Sequence, residues 1–124
     1  MKIITIDDSG SMRSTITSII EALGHEAIEA SDGLEGLEQV KSNPDIQLIL
    51  LDREMPNMNG LEFLLKIAET PDIDSIPIIM VSSRDDRQHI VEALRGGARD
   101  FLPKPFTPEM LSTKIAEVCP PELE

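Results

Sequence analysis

The chain has 124 residues, enough for one domain with a substantial core. It is 40% hydrophobic and contains no Trp or Tyr, so that core must be aliphatic. Lys and Arg number 11 against 23 Asp and Glu, and the resulting net charge of −12 would be repelled by a phosphate backbone, which argues against direct nucleic-acid binding.

Cys119 is the single cysteine, which excludes an internal disulfide and suits a packing role. No apolar run approaches the length of a membrane span, and no signal peptide precedes Lys2. The expectation is a cytoplasmic protein with no membrane insertion. The acidic surplus suits a Mg²⁺ site or a basic protein partner, but acidity is too common to establish either.

Strand-like runs begin near residues 2, 25, 46, 76 and 99, and a helical pattern follows each. Met12, Ile16, Ile19, Ile20 and Leu23 share one helical face, which Gly24 ends. Leu34, Leu37 and Val40 make a shorter stripe after Ser31-Asp32-Gly33. Gly60 opens a third helix, with Leu61, Leu64, Leu65 and Ala68 expected inward. Asp85 or Asp86 can cap a fourth, which carries Ile90, Val91 and Leu94 and stops at Gly96-Gly97. Thr107-Pro108 reads as the N-cap and first position of a fifth, with Leu111, Ile115 and Val118 buried. Pro120 to Glu124 cannot continue that helix, so residues 1–119 read as the domain and 120–124 as a tail, a linker or an added remnant.

Regular βα alternation implies a parallel sheet covered by helices on both faces. Ile3 to Ile6, Leu48 to Leu51 and Ile78 to Val81 are nearly all apolar, as central strands buried on both faces must be. The second strand, from His25 to Ala30, carries charge, and the fifth, from Arg99 to Pro103, holds a proline that only an edge tolerates. The order is then 2-1-3-4-5, a flavodoxin-like (βα)5 α/β fold whose crevice lies between the first and third strands.

That crevice collects chemistry. The first strand ends in Asp7-Asp8 and the third in Asp52, three carboxylates that a hard cation such as Mg²⁺ would relieve of mutual repulsion. The fourth strand ends in Ser82-Ser83, and the fifth leads to Lys104 between two prolines. A hydroxyl and an ammonium facing a metal-bound carboxylate make a receptacle for a phosphoryl group on Asp52. Singly, each has a plainer reading: Asp7-Asp8 as a solvated pair, Ser82 as a turn residue, Lys104 as a surface lysine, Phe101 as core. Together they fall on one edge of one sheet. His25 and His89 stand apart and receive no role.

Ile6-Asp7-Asp8-Ser9, Leu51 to Gly60, Ser82, and Phe101 to Phe106 resemble the signatures of response-regulator receiver domains, over roughly Lys2 to Val118. Asp7 to Arg13 and Met55 to Gly60 are most similar to the chemotaxis CheY type. The resemblance implies that Asp52 accepts a phosphoryl group from the phosphohistidine of a histidine kinase or histidine phosphotransfer protein. It implies Mg²⁺ bound by Asp8, Asp52 and the Glu54 carbonyl, with Asp7 acting through water. It gives Lys104 and Ser82 to the phosphoryl oxygens, with the Glu54 and Ser83 amides completing the cradle, and a cis bond between Lys104 and Pro105. Ser82 and Phe101 would form the switch, Phe101 turning inward as Ser82 moves, and the surface of the fourth helix, fifth strand and fifth helix would meet a downstream protein. A chemotaxis-like output is expected, from a monomer or a phosphorylation-dependent dimer that is not an enzyme in its own right.

Departures matter. Phe101 stands where the family often has Tyr, and Lys114 where partners of Asp100 are usually Arg. Glu54 and Arg84 are placed to face each other across the mouth and meter water, or else are two unrelated solvated side chains. Other readings are a receiver excised from a larger regulator, an aspartate-nucleophile phosphatase, an FMN-binding flavodoxin and an inert pseudo-receiver. The phosphatase type places Asp-x-Asp after the first strand, whereas Asp7-Asp8 are adjacent. The flavodoxin lacks an aromatic to sandwich a flavin, and no acceptor residue is missing as an inert receiver would require.

Overall fold

In the computed structural model, which describes residues 1–120, strands and helices alternate without exception. The strands are β1 (Lys2–Ile6), β2 (Glu26–Ala30), β3 (Ile46–Asp52), β4 (Ile78–Ser82) and β5 (Asp100–Pro103). The helices are α1 (Gly10–Ala22), α2 (Gly33–Ser42), α3 (Gly60–Ala68), α4 (Arg87–Arg95) and α5 (Pro108–Val118). All pairings are parallel and the order is β2-β1-β3-β4-β5, as strand polarity predicts. The tail expected at 120–124 lies, beyond Pro120, outside the described residues.

The two-residue period of the central strands divides the core into two layers. Ile4, Ile6, Ile49, Leu51, Ile78 and Met80 point to the side of α2, α3 and α4, where Val40, Phe63, Ile67 and Ala93 meet them. Ile3, Leu48, Leu50, Ile79 and Val81 point to the side of α1 and α5, against Ile16, Ile20, Leu111 and Ile115. Each such side chain contributes roughly 1.5–3 kcal/mol by leaving water.

Helix starts follow their caps. Ser9, Asp32 and Thr107 side chains accept from Met12, Glu35 and Met110 N–H groups. Asn59 and Glu62 form a reciprocal capping box at α3. The face that α3 turns to the sheet differs from the one expected. Phe63, Leu64 and Ile67 are buried, whereas Leu65 is 61% exposed and Ala68 is also exposed. Leu34 likewise faces outward on α2, because Gly33 and Gly36 form the inner surface there. On α4 only Ala93 is buried and Leu94 is exposed. Asp86 sits at the N-cap of α4, but its carboxylate meets His89 Nδ1 at 2.5 Å and makes no capping bond.

Candidate functional site

The C-terminal edges of β1 and β3 are adjacent, with Ile6 registered opposite Leu51, so Asp7 and Asp52 emerge side by side. Asp52 is 6% exposed and Asp7 is 2% exposed, while Asp8 faces solvent. One carboxylate oxygen from each of the three lies within 4.8 Å of the others. Oxygen donors at that spacing, two buried and one open to water, fit a hard divalent cation.

The Lys104 ammonium reaches into this cluster, 3.1 Å from Asp52 Oδ1 and 3.2 Å from Asp7 Oδ2. The loop after β5 places it there: Lys104 N–H donates to the Ser82 carbonyl at 2.9 Å, and the Lys104-Pro105 peptide is cis. Burial pushes the Asp52 carboxyl up to about 6, the Asp7 charge pushes the same way, and Lys104 holds it back. Burial pulls Lys104 down, yet Asp52 and Asp7 more than offset it and leave its ammonium held above the ordinary lysine range. One cation thus serves two buried anions, and the site carries uncompensated negative charge.

Asp7 is pinned from both sides. Ser9 N–H donates to its Oδ1 at 2.9 Å, and Arg13 donates to its carbonyl at 2.6 Å. Ser82 is buried at 1% exposure, and its hydroxyl accepts from Arg84 N–H at 3.0 Å. Ser83 is exposed beside it. At the mouth, Arg84 Nε and Glu54 Oε1 meet at 2.5 Å with both side chains about half exposed, so the expected pair across the rim is present. A depression of about 550 Å³ opens there, lined by Asp8, Glu54, Pro56, Arg84 and His89 among others.

Phe101 differs from expectation in its state. Its ring is 6% exposed and packs in the layer under α4, so the inward position expected after phosphorylation is already filled. A phenyl ring has no hydroxyl to favour the outward position, and burial alone holds it. Lys114 does pair with Asp100, at 3.1 Å to each carboxylate oxygen. His25 and the His89 ring stand outside the acid cluster, and Cys119 Sγ lies 3.8 Å from the Gln47 carbonyl, away from it.

Arg53 went unnoticed in the sequence. It follows the nucleophile candidate directly, is 9% exposed, and donates to the His89 carbonyl at 3.0 Å and to Glu92 Oε1 at 2.6 Å. A charged residue at the end of an otherwise apolar run is the one signal that could have drawn attention to it.

A doubly wound parallel sheet with an acidic cluster and a buried lysine at its switch point defines the class: a flavodoxin-like α/β domain with a carboxylate cluster at the end of its central strands. Residues 3–116 match the response regulator receiver domain family, and the chain belongs to it. It is thereby a component of two-component signalling, and receiver domains bind Mg²⁺ at an acidic pocket of this kind. The chain is 35% identical to a chemotaxis protein CheY homolog of Campylobacter jejuni over 95% of its own length and 92% of the relative's. Its backbone matches the chemotaxis protein CheY4 of Vibrio cholerae at a TM-score of 0.89 and 30% identity, over 94% of this chain and 97% of that one. It matches a CheY solved in complex with CheX, BeF3 and Mg from Borrelia burgdorferi at 0.89 and 28%, over 95% and 88%. CheY-like receivers interact with histidine kinases and with downstream targets. Among the described residues no helix is long and apolar enough to cross a membrane.

Proposed function

We infer that Asp52 accepts a phosphoryl group from the phosphohistidine of a histidine kinase or histidine phosphotransfer protein in the cytoplasm. The observation that carries this reading is the placement of Asp52, its carboxylate shared with Lys104 and gathered with Asp7 and Asp8 at one sheet edge. Asp52 Oδ attacks phosphorus as the P–N bond breaks, and the electron pair leaves with the imidazole. The product is an aspartyl phosphate, a mixed anhydride. Its hydrolysis forms a bond from water to phosphorus, breaks the P–O bond to the acyl group and returns the carboxylate with inorganic phosphate.

Asp8, Asp52 and the Glu54 carbonyl would hold Mg²⁺, with Asp7 acting through water. Bound there, the ion supplies positive charge to phosphoryl oxygens that the acidic site would otherwise repel. The rest falls to the chain itself. Asp52 attacks as the carboxylate, and with its pKa near 6 it is mostly ionised at neutral pH. Lys104 orients it and then follows the charge to the phosphoryl oxygens. Ser82 and the amides of Ser83 and Glu54 close the cradle.

Ser82 and Phe101 make the switch. Drawing the Ser82 hydroxyl toward the phosphoryl group locks in the inward Phe101 and shifts the surface of α4, β5 and α5 toward its partner-binding form. The output is chemotaxis-like, from a receiver domain spanning residues 1–119 that acts as a monomer or a phosphorylation-dependent dimer. It is a phospho-accepting domain whose only chemistry is on itself. Incubation with acetyl phosphate and Mg²⁺ followed by intact mass tests the reading. A phosphate-sized gain that disappears in Asp52→Asn supports it, and no gain in folded wild type refutes it.

A further inference from the structure

We propose that Arg53 is a positioning residue that tethers α4 to the phosphorylation site and holds it in its resting place, so that breaking the tether speeds phosphorylation of Asp52. The proposal rests in part on the receiver reading, since it names a control on that site.

The backbone of Arg53 is fixed beside Asp52. Its N–H donates to the Val81 carbonyl at 3.2 Å, and its carbonyl accepts from Gly60 N–H at 2.8 Å. Its guanidinium does something different. It leaves the acid cluster and grips α4 at two points one turn apart, the His89 carbonyl and the Glu92 carboxylate. A planar fork with several N–H groups can hold both at once, and the His89 carbonyl has a lone pair left for its own helix. The Arg53 side chain is only 10% exposed while Glu92 is 42% exposed, so the guanidinium end of the pair is sheltered from water.

α4 needs such a hold more than the other helices do. It is short, it buries only Ala93 outright, and its N-cap Asp86 is turned onto His89 and makes no capping bond. Its N-terminus follows the four-residue loop, 83–86, that leaves the end of β4 at Ser82. Movement of Ser82 toward a phosphoryl group therefore pulls on the end of α4 that Arg53 holds. The tether opposes that movement, and loosening it raises the population that can accept phosphate.

Two substitutions separate this from simpler effects. Arg53→Met removes the fork but also a positive charge near Asp52. Glu92→Gln leaves Arg53 packed, weakens the grip, and changes no residue lining the mouth. In the unphosphorylated protein, hydrogen exchange should rise by about fivefold or more across α4 in both variants, with α1 and α2 unchanged, since local opening follows local contacts. With acetyl phosphate and Mg²⁺, both should gain phosphate about threefold faster or more, a population effect, and the double variant should be no faster than the singles. Arg53→Lys, with one ammonium for two acceptors, should fall between. Acetate leaves with its electron pair as Asp52 takes the phosphoryl group. If Arg53→Met unfolds, Glu92→Gln carries both arms. Unchanged α4 exchange, or phosphorylation by Glu92→Gln at or below the wild-type rate, overturns the proposal. Wild type that gains no phosphate refutes the phosphoryl-acceptor reading of Asp52 instead, and the exchange arm still decides whether the tether exists.

Discussion

Replacing Asp52 with Asn should make the metal-free protein more stable at neutral pH, although it removes the proposed phosphoryl acceptor. Folding lifts this carboxyl from 3.8 to about 6, through burial first and the Asp7 charge second, with Lys104 compensating only in part. The sign follows from linkage. Between those two values the folded state binds a proton that the unfolded state does not, so stability falls as pH rises through this window, and the full cost is present above about 6. At roughly 1.4 kcal/mol per pKa unit, the ionised carboxylate costs about 3 kcal/mol at pH 7.5, as an upper figure. Asn keeps the shape and an acceptor oxygen for Lys104 without the charge. That figure is already net of the Lys104 attraction, and an amide replaces the carboxyl imperfectly, so a stabilisation of about 1–3 kcal/mol is expected, or about 4 °C in Tm per kcal/mol. Urea or thermal unfolding in EDTA, run on both proteins from pH 4 to pH 8, is the assay. The advantage of Asn should be largest at pH 7–8 and shrink toward pH 4. Millimolar Mg²⁺ should stabilise the wild type more than the variant. An Asp52→Asn protein that is less stable at pH 7.5, or a difference flat with pH, would refute the electrostatic account.

The Glu54–Arg84 pair is half exposed, so it should add little to stability. If the pair screens the aspartyl phosphate, Glu54→Gln and Arg84→Gln should each speed phosphoryl loss severalfold, and the double variant should be no faster; additive effects in that cycle would mean that they act as separate solvated side chains. Gly60→Ala should destabilise by about 2 kcal/mol or more, because its Cβ would lie 2.8 Å from the Arg53 Cα and 3.0 Å from the Asp52 carbonyl, both backbone atoms that cannot yield. Gly10→Ala meets nothing closer than the Arg13 guanidinium at 3.7 Å and should be neutral or stabilising by about 0.5–1 kcal/mol in chemical denaturation.

The strand order was legible because burial on both faces leaves no room for polar residues, and β1, β3 and β4 carry almost none. The acid cluster was legible for the same reason, since parallel strands deliver whatever follows them to one edge. Helix phase was less so. On α3 two overlapping apolar stripes exist, one through Leu61 and Leu65 and one through Phe63 and Ile67, and packing against the sheet, where the larger Phe63 fills the core, decides between them. Arg53 was hidden for a stronger reason. One of its partners is a backbone carbonyl, which every residue supplies, and the other lies 39 positions away. The rotamer of Phe101 has no sequence signature at all. Only packing under α4 sets it.

With Phe101 already inside, the two halves of the proposed switch stand in different states. Ser82 is the half still at rest, its side chain held in place by the bond its hydroxyl oxygen accepts from Arg84 N–H. A neutral hydrogen bond of that kind contributes about 1 kcal/mol net, which a charge-assisted bond to a phosphoryl oxygen can outweigh. Ring rotation is therefore not the step that resists activation in this chain. What moves with Ser82 is the loop through Asp86, and that loop ends in α4, a helix held by Arg53 from the residue next to Asp52. The strand that ends in Asp52 thus reaches the proposed output surface by two routes. One runs through Ser82 and the loop and drives α4; the other runs through Arg53 and restrains it. In the proposed mechanism the balance between them, more than the position of an aromatic ring, sets how much of the population responds to a phosphoryl group on Asp52.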